Sequence, residues 1–129
     1  MYETIEQEIQ LSAEADLVFD ALTSSRSFSA FSGAPAEIDA VPGGAFKCFG
    51  GQIEGRNLEV NDRRQLIQAW RVKDWPAGMY SLVRFQLEPT DSGTRLRLLQ
   101  EAPGEAAEHL KSGWSAMYFE PLKQFLEST

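Results

Sequence analysis

The sequence predicts an α+β fold: a curved antiparallel sheet of about six or seven strands wrapped around one long C-terminal helix, with two short helices after the first strand. Three observations predict it. Short segments of period-two alternation follow one another, separated by Gly, Pro and Asn-Asp turns. The last segment changes to helical spacing and carries a strong apolar stripe. A weaker helical pattern sits between the first two strands.

The segment Thr4 to Leu11 places Ile5, Gln7, Ile9 and Leu11 on one face and Thr4, Glu6, Glu8 and Gln10 on the other, a strand with one wet side. Ser12 reads as a helix N-cap, with Glu14 in the first turn where the helix dipole favours a carboxylate. Ala15, Val18, Phe19 and Leu22 fall at helical spacing, which predicts an amphipathic helix over Ala13 to Leu22. Thr23-Ser24-Ser25 interrupts it, and a further turn or two of helix through Phe28 and Phe31 is expected. The two helices would plug one end of the sheet.

Glu37 to Val41 is a short strand ended by Pro42-Gly43-Gly44, because proline removes a ladder donor and glycine accepts positive φ. Ala45 to Phe49 follows, with Phe46 and Cys48 on one face and Lys47 and Phe49 on the other. Gly50-Gly51 predicts a tight reversal or a bulge. Strands are expected over Gln52 to Val60 and, after the Asn61-Asp62 turn, over Arg64 to Val72. In the latter Leu66, Gln68, Trp70 and Val72 share a face. Lys73 to Gly78 breaks both periodicities and is a loop. Tyr80 to Leu87 and Thr94 to Gln100 pair across a Pro89 to Gly93 hairpin, with Leu96 and Leu98 inward and Arg95 and Arg97 facing water.

Glu105 to Glu127 is the long helix, opened by Pro103-Gly104. Leu110, Trp114, Met117, Tyr118, Leu122 and Phe125 form its stripe. Gly113 is expected to let a neighbour approach closely, and Pro121 to bend the helix by removing one internal hydrogen bond. So apolar a stripe needs a partner, and the concave face of the sheet is the large one on offer.

The chain's 129 residues suit one domain, 1–129, which can bury enough surface to fold without disulfide or metal. A formal charge of −7 argues against nucleic acid or an anionic membrane as partner, since both need a positive field. Arg63-Arg64 and Arg95/Arg97 read as solvated faces. Cys48, the one cysteine, reads as a small core residue of a cytoplasmic protein. The N-terminal MYETIEQEIQ has neither a basic segment nor an apolar run, so no signal peptide is expected. No stretch reaches the roughly 20 apolar residues of a membrane helix.

Little in the sequence points to chemistry. One histidine, His109, and one cysteine cannot make a zinc site, and His109 has no evident catalytic partner. No catalytic residue, cofactor or metal is expected. Phe46, Trp70, Phe85, Trp114, Met117 and Tyr118 are candidates for the lining of a cavity between sheet and helix. The competing reading is a filled core. Trp70 and Trp114 are expected to face each other across the gap. Gln7 and Gln68, on otherwise apolar faces, either bond a ligand or lie at strand ends. Trp75, in its Trp-Pro loop, either contacts another protein or folds down as a lid, and Arg71 either pairs with a partner's carboxylate or makes an ion pair within the sheet.

A set of fragments in order carries a family resemblance: Phe31 with Ala34-Pro35-Ala36, Gly43-Gly44-Ala45-Phe46, Gly51-Gln52-Ile53-Glu54-Gly55, Trp70-Arg71 followed by Trp75-Pro76, and Gly113-Trp114 with Tyr118-Phe119. With them the chain resembles the activator of heat-shock-protein-90 ATPase homologue-like family, within the START-like (birch-pollen-allergen-like) superfamily of helix-grip proteins. The likeness is greatest to the C-terminal domain of the eukaryotic co-chaperone. The resemblance implies a helix-grip fold and a non-enzymatic role. That role is binding a lipophilic small molecule in the sheet–helix cavity or a protein partner such as an Hsp90-type chaperone, as in stress response. It suggests a single-domain bacterial relative, monomeric or homodimeric. The superfamily also includes lipid carriers, plant-hormone receptors and polyketide cyclases. A cyclase- or hydratase-type enzyme, using Tyr80 or Tyr118 with a carboxylate in the same cavity, is therefore the alternative.

Overall fold

The structure is a computed structural model in which residues 1–127 are described. One antiparallel sheet of seven strands runs in the order β1-β7-β6-β5-β4-β3-β2, so the first strand closes against the last and the others form a meander. The strands are β1 (Tyr2–Leu11), β2 (Glu37–Ile38), β3 (Ala45–Cys48), β4 (Ile53–Asn61), β5 (Gln65–Val72), β6 (Ser81–Thr90) and β7 (Gly93–Pro103). The alternation read from the sequence sets the faces. Ile5 and Leu11 of β1, Leu66 and Trp70 of β5, Val83, Phe85 and Leu87 of β6, and Leu96 and Leu98 of β7 are buried. Arg97 pairs with Glu6 and Arg95 with Glu88 on the exposed face, so these arginines meet carboxylates on neighbouring strands.

Two short helices follow β1: α1 (Ala15–Thr23) and α2 (Ser25–Ser32). The N-cap of α1 is Glu14 rather than Ser12, and no side chain caps that end. Ser24 separates the helices. Its N–H closes α1 on the Asp20 carbonyl, and its hydroxyl accepts from the Ser27 N–H to open α2. Serines of α2 also hold the short β2 in place. Ser25 Oγ accepts from the Ile38 N–H at 2.8 Å and Ser29 Oγ from the Ala36 N–H at 2.9 Å. That local tethering leaves β2 only two residues instead of the five expected from Glu37 to Val41.

The terminal helix has three parts: α3 (Ala107–Gly113), a π-helical segment (Trp114–Phe119) and α4 (Glu120–Glu127). Where Pro121 is expected to bend the helix, the turn ahead of it is π-helical. Proline has no N–H to give the Met117 carbonyl, and its ring crowds that carbonyl. The turn ahead of it widens, and the Glu120 N–H bonds to the Ser115 carbonyl, an i to i−5 step. One extra residue per turn rotates everything beyond it. The buried face therefore runs Leu110, Trp114, Tyr118, Phe119, Leu122, Leu126. Met117, expected on that face, is 51% exposed, and Leu126 takes the buried place expected for Phe125, which is half-buried.

Gly55 of β4 is a glycine that lets two backbones approach, and Gly113 is not. A Cβ on Gly55 would collide with the Ala69 carbonyl oxygen and the Phe46 ring, whereas one on Gly113 would meet nothing within 4 Å. Opposite responses follow. Gly55→Ala is expected to lower the unfolding free energy by at least about 2 kcal/mol through overpacking. Gly113→Ala should raise it by about 0.5–1 kcal/mol through helix propensity. Urea denaturation of both variants checks this, and a Gly113→Ala less stable than the parent would contradict the open space beside that residue.

Candidate functional site

The concave face of the sheet and the terminal helix meet through aromatic rings. Trp70 of β5 and Trp114 face each other across the gap, ring centroids 5.4 Å apart, and Trp114 lies 4.4 Å from Tyr118. Phe85 sets its edge to Trp114 at 5.7 Å. Such pairs add to the burial of area alone. Two hydrogen bonds run through the cluster, while the Gln100 Nε2 on its edge is buried without a partner among the described residues. Trp114 Nε1 donates to Gln100 Oε1 at 2.7 Å, a fully buried hydrogen bond between helix and β7. Trp70 Nε1 reaches the Tyr118 hydroxyl oxygen at 3.5 Å, the outer limit for such a bond.

The rings do not fill the whole gap. A cavity of about 380 Å³ remains at one end. The helix supplies His109, Leu110, Gly113, Trp114, Met117 and Tyr118; β5 supplies Trp70 and Val72; the β3–β4 turn supplies Phe49 and Gln52, and β4 opens with Ile53; Ser32 ends α2 and Ala34 follows it. The surface is mostly carbon, and none of these side chains is Asp, Glu, Lys or Arg. Two larger depressions, of about 730 and 480 Å³, lie around the β6–β7 hairpin and are lined with charged groups, among them Asp16, Asp62, Arg63 and Arg64 in one and Glu88, Arg95 and Arg97 in the other.

Four of the six residues expected at the cavity border it: Trp70, Trp114, Met117 and Tyr118. Met117 does so from the rim, because the π-turn moves it off the buried stripe. Phe46 and Phe85 lie instead in the filled core, Phe46 beneath Gly55 and Phe85 against Trp114. Phe49, expected to point outward from a strand, leaves β3 at Cys48 and adopts φ 56°, a left-handed backbone rare for a bulky residue. That conformation turns its ring back against Tyr118 at 5.2 Å and Phe28 at 5.5 Å. Periodicity could not announce this residue; the Gly50-Gly51 pair after it was the available signal that the strand ends there. His109 is exposed, as expected, and stands at the cavity mouth.

Each of the two glutamines donates to a defined partner, while Gln7 Oε1 is buried without one among the described residues. Gln68 sits in mid-strand and donates to Asn57 Oδ1 at 3.1 Å, and Asn57 Nδ2 donates to the Asp39 carbonyl at 2.9 Å. Asn57, fully buried at a β-bulge of β4, thereby fastens the β2–β3 connection, and a sequence reading has no way to foresee it. Gln7 Nε2 donates to the Lys111 carbonyl at 3.1 Å, tying β1 to the helix.

Arg71 and Trp75 form a latch beside the cavity. Arg71 is buried, with Nη1 on Glu54 Oε2 at 2.5 Å and Nη2 on the Trp75 carbonyl at 2.6 Å, and its guanidinium lies 5.9 Å from the Tyr80 ring centre. The fork is thus engaged within the chain rather than presented to a partner. The loop it holds lays half-buried Trp75 edge-on against Trp70 at 6.0 Å. Tyr80 is exposed outside the cavity, and no Asp or Glu lines the cavity beside Tyr118. No group of three His, Cys, Asp or Glu able to hold a metal occurs among the described residues, and no described helix is long and apolar enough to cross a membrane.

A curved antiparallel sheet closed over a long helix, with an apolar cavity between them, defines a START-like helix-grip domain. The chain belongs to the family described as activator of Hsp90 ATPase homolog 1-like protein, whose model matches residues 12–127. It is similar to the mouse activator of 90 kDa heat shock protein ATPase homolog 2, with 35% identity over 100 residues, 77% of this chain and 30% of that protein. It is 27% identical to the human homolog 1 over 108 residues, 83% of this chain and 32% of that one. The chain thus spans about a third of the length of these relatives. Among solved structures, an Hsp90 activator from Plasmodium falciparum superposes with a TM-score of 0.85 at 25% identity, covering 98% of this chain and 96% of the other. A protein from Mesorhizobium loti does so with a TM-score of 0.85 at 26% identity, covering 98% of each.

Burial fixes the ionisation of two groups near the cavity. It pushes the Cys48 thiol up from 9.0 to about 12. It raises the Tyr118 phenol well above its ordinary value, helped by nearby Cys48 and opposed by the Trp70 hydrogen bond. Above pH 9.0 the unfolded thiol loses its proton while the folded one keeps it until about 12. The folded state then binds more protons, so stability falls as pH rises, by up to about 1.4 kcal/mol per pH unit for each such group. Chemical denaturation between pH 8 and 11 should show this decline, and Cys48→Ala should lessen it. A decline equally steep in Cys48→Ala would remove the thiol as its cause.

Proposed function

We propose that this chain is a non-enzymatic START-like module that binds a lipophilic small molecule between sheet and helix, contacting it with Trp70, Trp114, Met117 and Tyr118. One observation carries this reading: about 380 Å³ of mostly apolar space persists beside a core that is otherwise closed, a volume within the range of ligand sites. Gly113 leaves part of that space open where any larger residue would occupy it. A single buried cysteine suits the reducing cytoplasm as the place of action.

Native mass spectrometry of gently purified protein tests the proposal. An adduct of small-molecule mass is expected, lost on denaturation and at least about tenfold less populated in Gly113→Leu, whose side chain projects into the cavity. Equal occupancy in the two proteins would overturn the assignment of the ligand to this space. The same spectra report whether the protein is a monomer or a homodimer.

The names of its relatives favour a second reading, association with an Hsp90-type chaperone. Half-buried Trp75 in its latched loop is then the contact proposed for the partner, since aromatic anchors dominate such interfaces. Titration calorimetry with a purified Hsp90-type chaperone should give binding at micromolar concentrations, weakened at least about tenfold by Trp75→Ala. No heat at those concentrations would count against this reading and leave the cavity reading untouched.

A further inference from the structure

We propose that the cavity takes a planar, uncharged ring compound bearing a hydrogen-bond acceptor, seated among Phe49, Trp70 and Trp114 with its acceptor at the Tyr118 hydroxyl. The inference rests on the small-molecule reading above and specifies its ligand.

Charge is the first argument. No Asp, Glu, Lys or Arg lines the space and His109 stands only at its mouth, so a carboxylate or ammonium seated among the inner rings would lose its hydration with no counter-charge beside it. The second concerns shape. Phe49 holds a left-handed backbone, φ 56°, and the effect of that unfavourable conformation is to bring its ring to the cavity against Tyr118. An alkyl chain would gain as much from any aliphatic wall. A flat ring gains more, because the edges and faces of Phe49, Trp70, Trp114 and Tyr118 meet it in the tilted and edge-on arrangements that aromatic pairs prefer. The third is an unspent donor. The buried Tyr118 hydroxyl accepts from Trp70 Nε1 at 3.5 Å, but its own proton has no acceptor among the described residues. A carbonyl, ether or hydroxyl oxygen on the ligand would supply one. Volume is the last. About 380 Å³ lies at the small end of ligand sites, which suits two or three fused rings better than a lipid with two chains.

The test uses three probes: 2-naphthol, its carboxylate counterpart 2-naphthoate, and 1-decanol. The readout is the indole N–H signals of Trp70 and Trp114 in a ¹H–¹⁵N correlation spectrum, assigned through Trp→Phe variants. 2-Naphthol is expected to shift both signals saturably, and 2-naphthoate to bind at least about tenfold more weakly. Tyr118→Phe keeps the ring and removes the donor. It should weaken 2-naphthol about two- to tenfold, the value of one neutral hydrogen bond, while the spectrum confirms that the variant folds. Three outcomes would overturn the ring proposal: 2-naphthoate binding as tightly as 2-naphthol, Tyr118→Phe binding as tightly as the parent, or 1-decanol shifting the signals where 2-naphthol does not. The last would leave the cavity reading standing. No shift from any probe would overturn both.

Discussion

Pro121 sets what the terminal helix shows to the sheet. Its missing N–H and the crowding of its ring cannot be absorbed in a regular α-helix without loss. The chain answers with the π-turn from Trp114 to Phe119. The extra residue brings Tyr118 and Phe119 inward side by side and moves Met117 to the cavity rim. It rotates α4 so that Leu122 and Leu126 continue the core. Tyr118 there touches Trp114, Phe28, Phe49 and Phe85 at once, with Phe119 turned inward beside it. The site and the grip therefore share a cause, and the cause lies one turn away from both.

The rest of the grip is a matter of matching polar atoms inside an apolar interface. A bond between the Trp114 indole and Gln100 fixes the helix to β7, and one from Gln7 to the Lys111 carbonyl fixes it to β1. On the other side Gln68 and Asn57 hold the β2–β3 connection, and the Thr94 hydroxyl donates to the Ala13 carbonyl where α1 begins. Each bond contributes only about 0.5–1.5 kcal/mol, yet losing one partner would leave a buried polar group unmet, which costs more. These bonds act less as sources of stability than as a filter against other placements of the helix. Arg71 does the same for the loop after β5, fixing Trp75 against Trp70.

How legible this was depends on range. The strands of the meander follow from period-two alternation and from turns that glycine, proline or Asn-Asp announce, and these are local facts. Trp70 facing Trp114 was legible because strand and helix patterns each pointed one ring at the same gap. The exchange of Phe125 for Leu126 was not, since a 3.6-residue period was carried unbroken through a turn that the proline had widened. The inward turn of Phe49 was not, because a left-handed backbone on a phenylalanine contradicts its own preference and is imposed by the packing of its ring. Asn57 was hidden because nothing local tells a buried amide at a bulge from an exposed one. Gly55 and Gly113 look alike in sequence, and only the neighbouring strand and the empty space tell them apart.

The cavity is kept at some cost to the fold. Glycine in a helix interior costs about 0.5–1 kcal/mol relative to alanine, and Gly113 fills none of the space it borders. Phe49 in the left-handed region costs on the order of 1–3 kcal/mol. Both costs fall on residues lining the same space, whereas Gly55 and Gly44, which do not line it, are required by backbones that approach too closely for a side chain. A larger residue at position 113 would meet no obstacle, since a Cβ there has nothing within 4 Å. The open space lies against rings that are themselves buried, as the small-molecule reading proposed above requires. On that reading, a ring-lined surface free of Asp, Glu, Lys and Arg favours molecules that leave water readily and carry no charge.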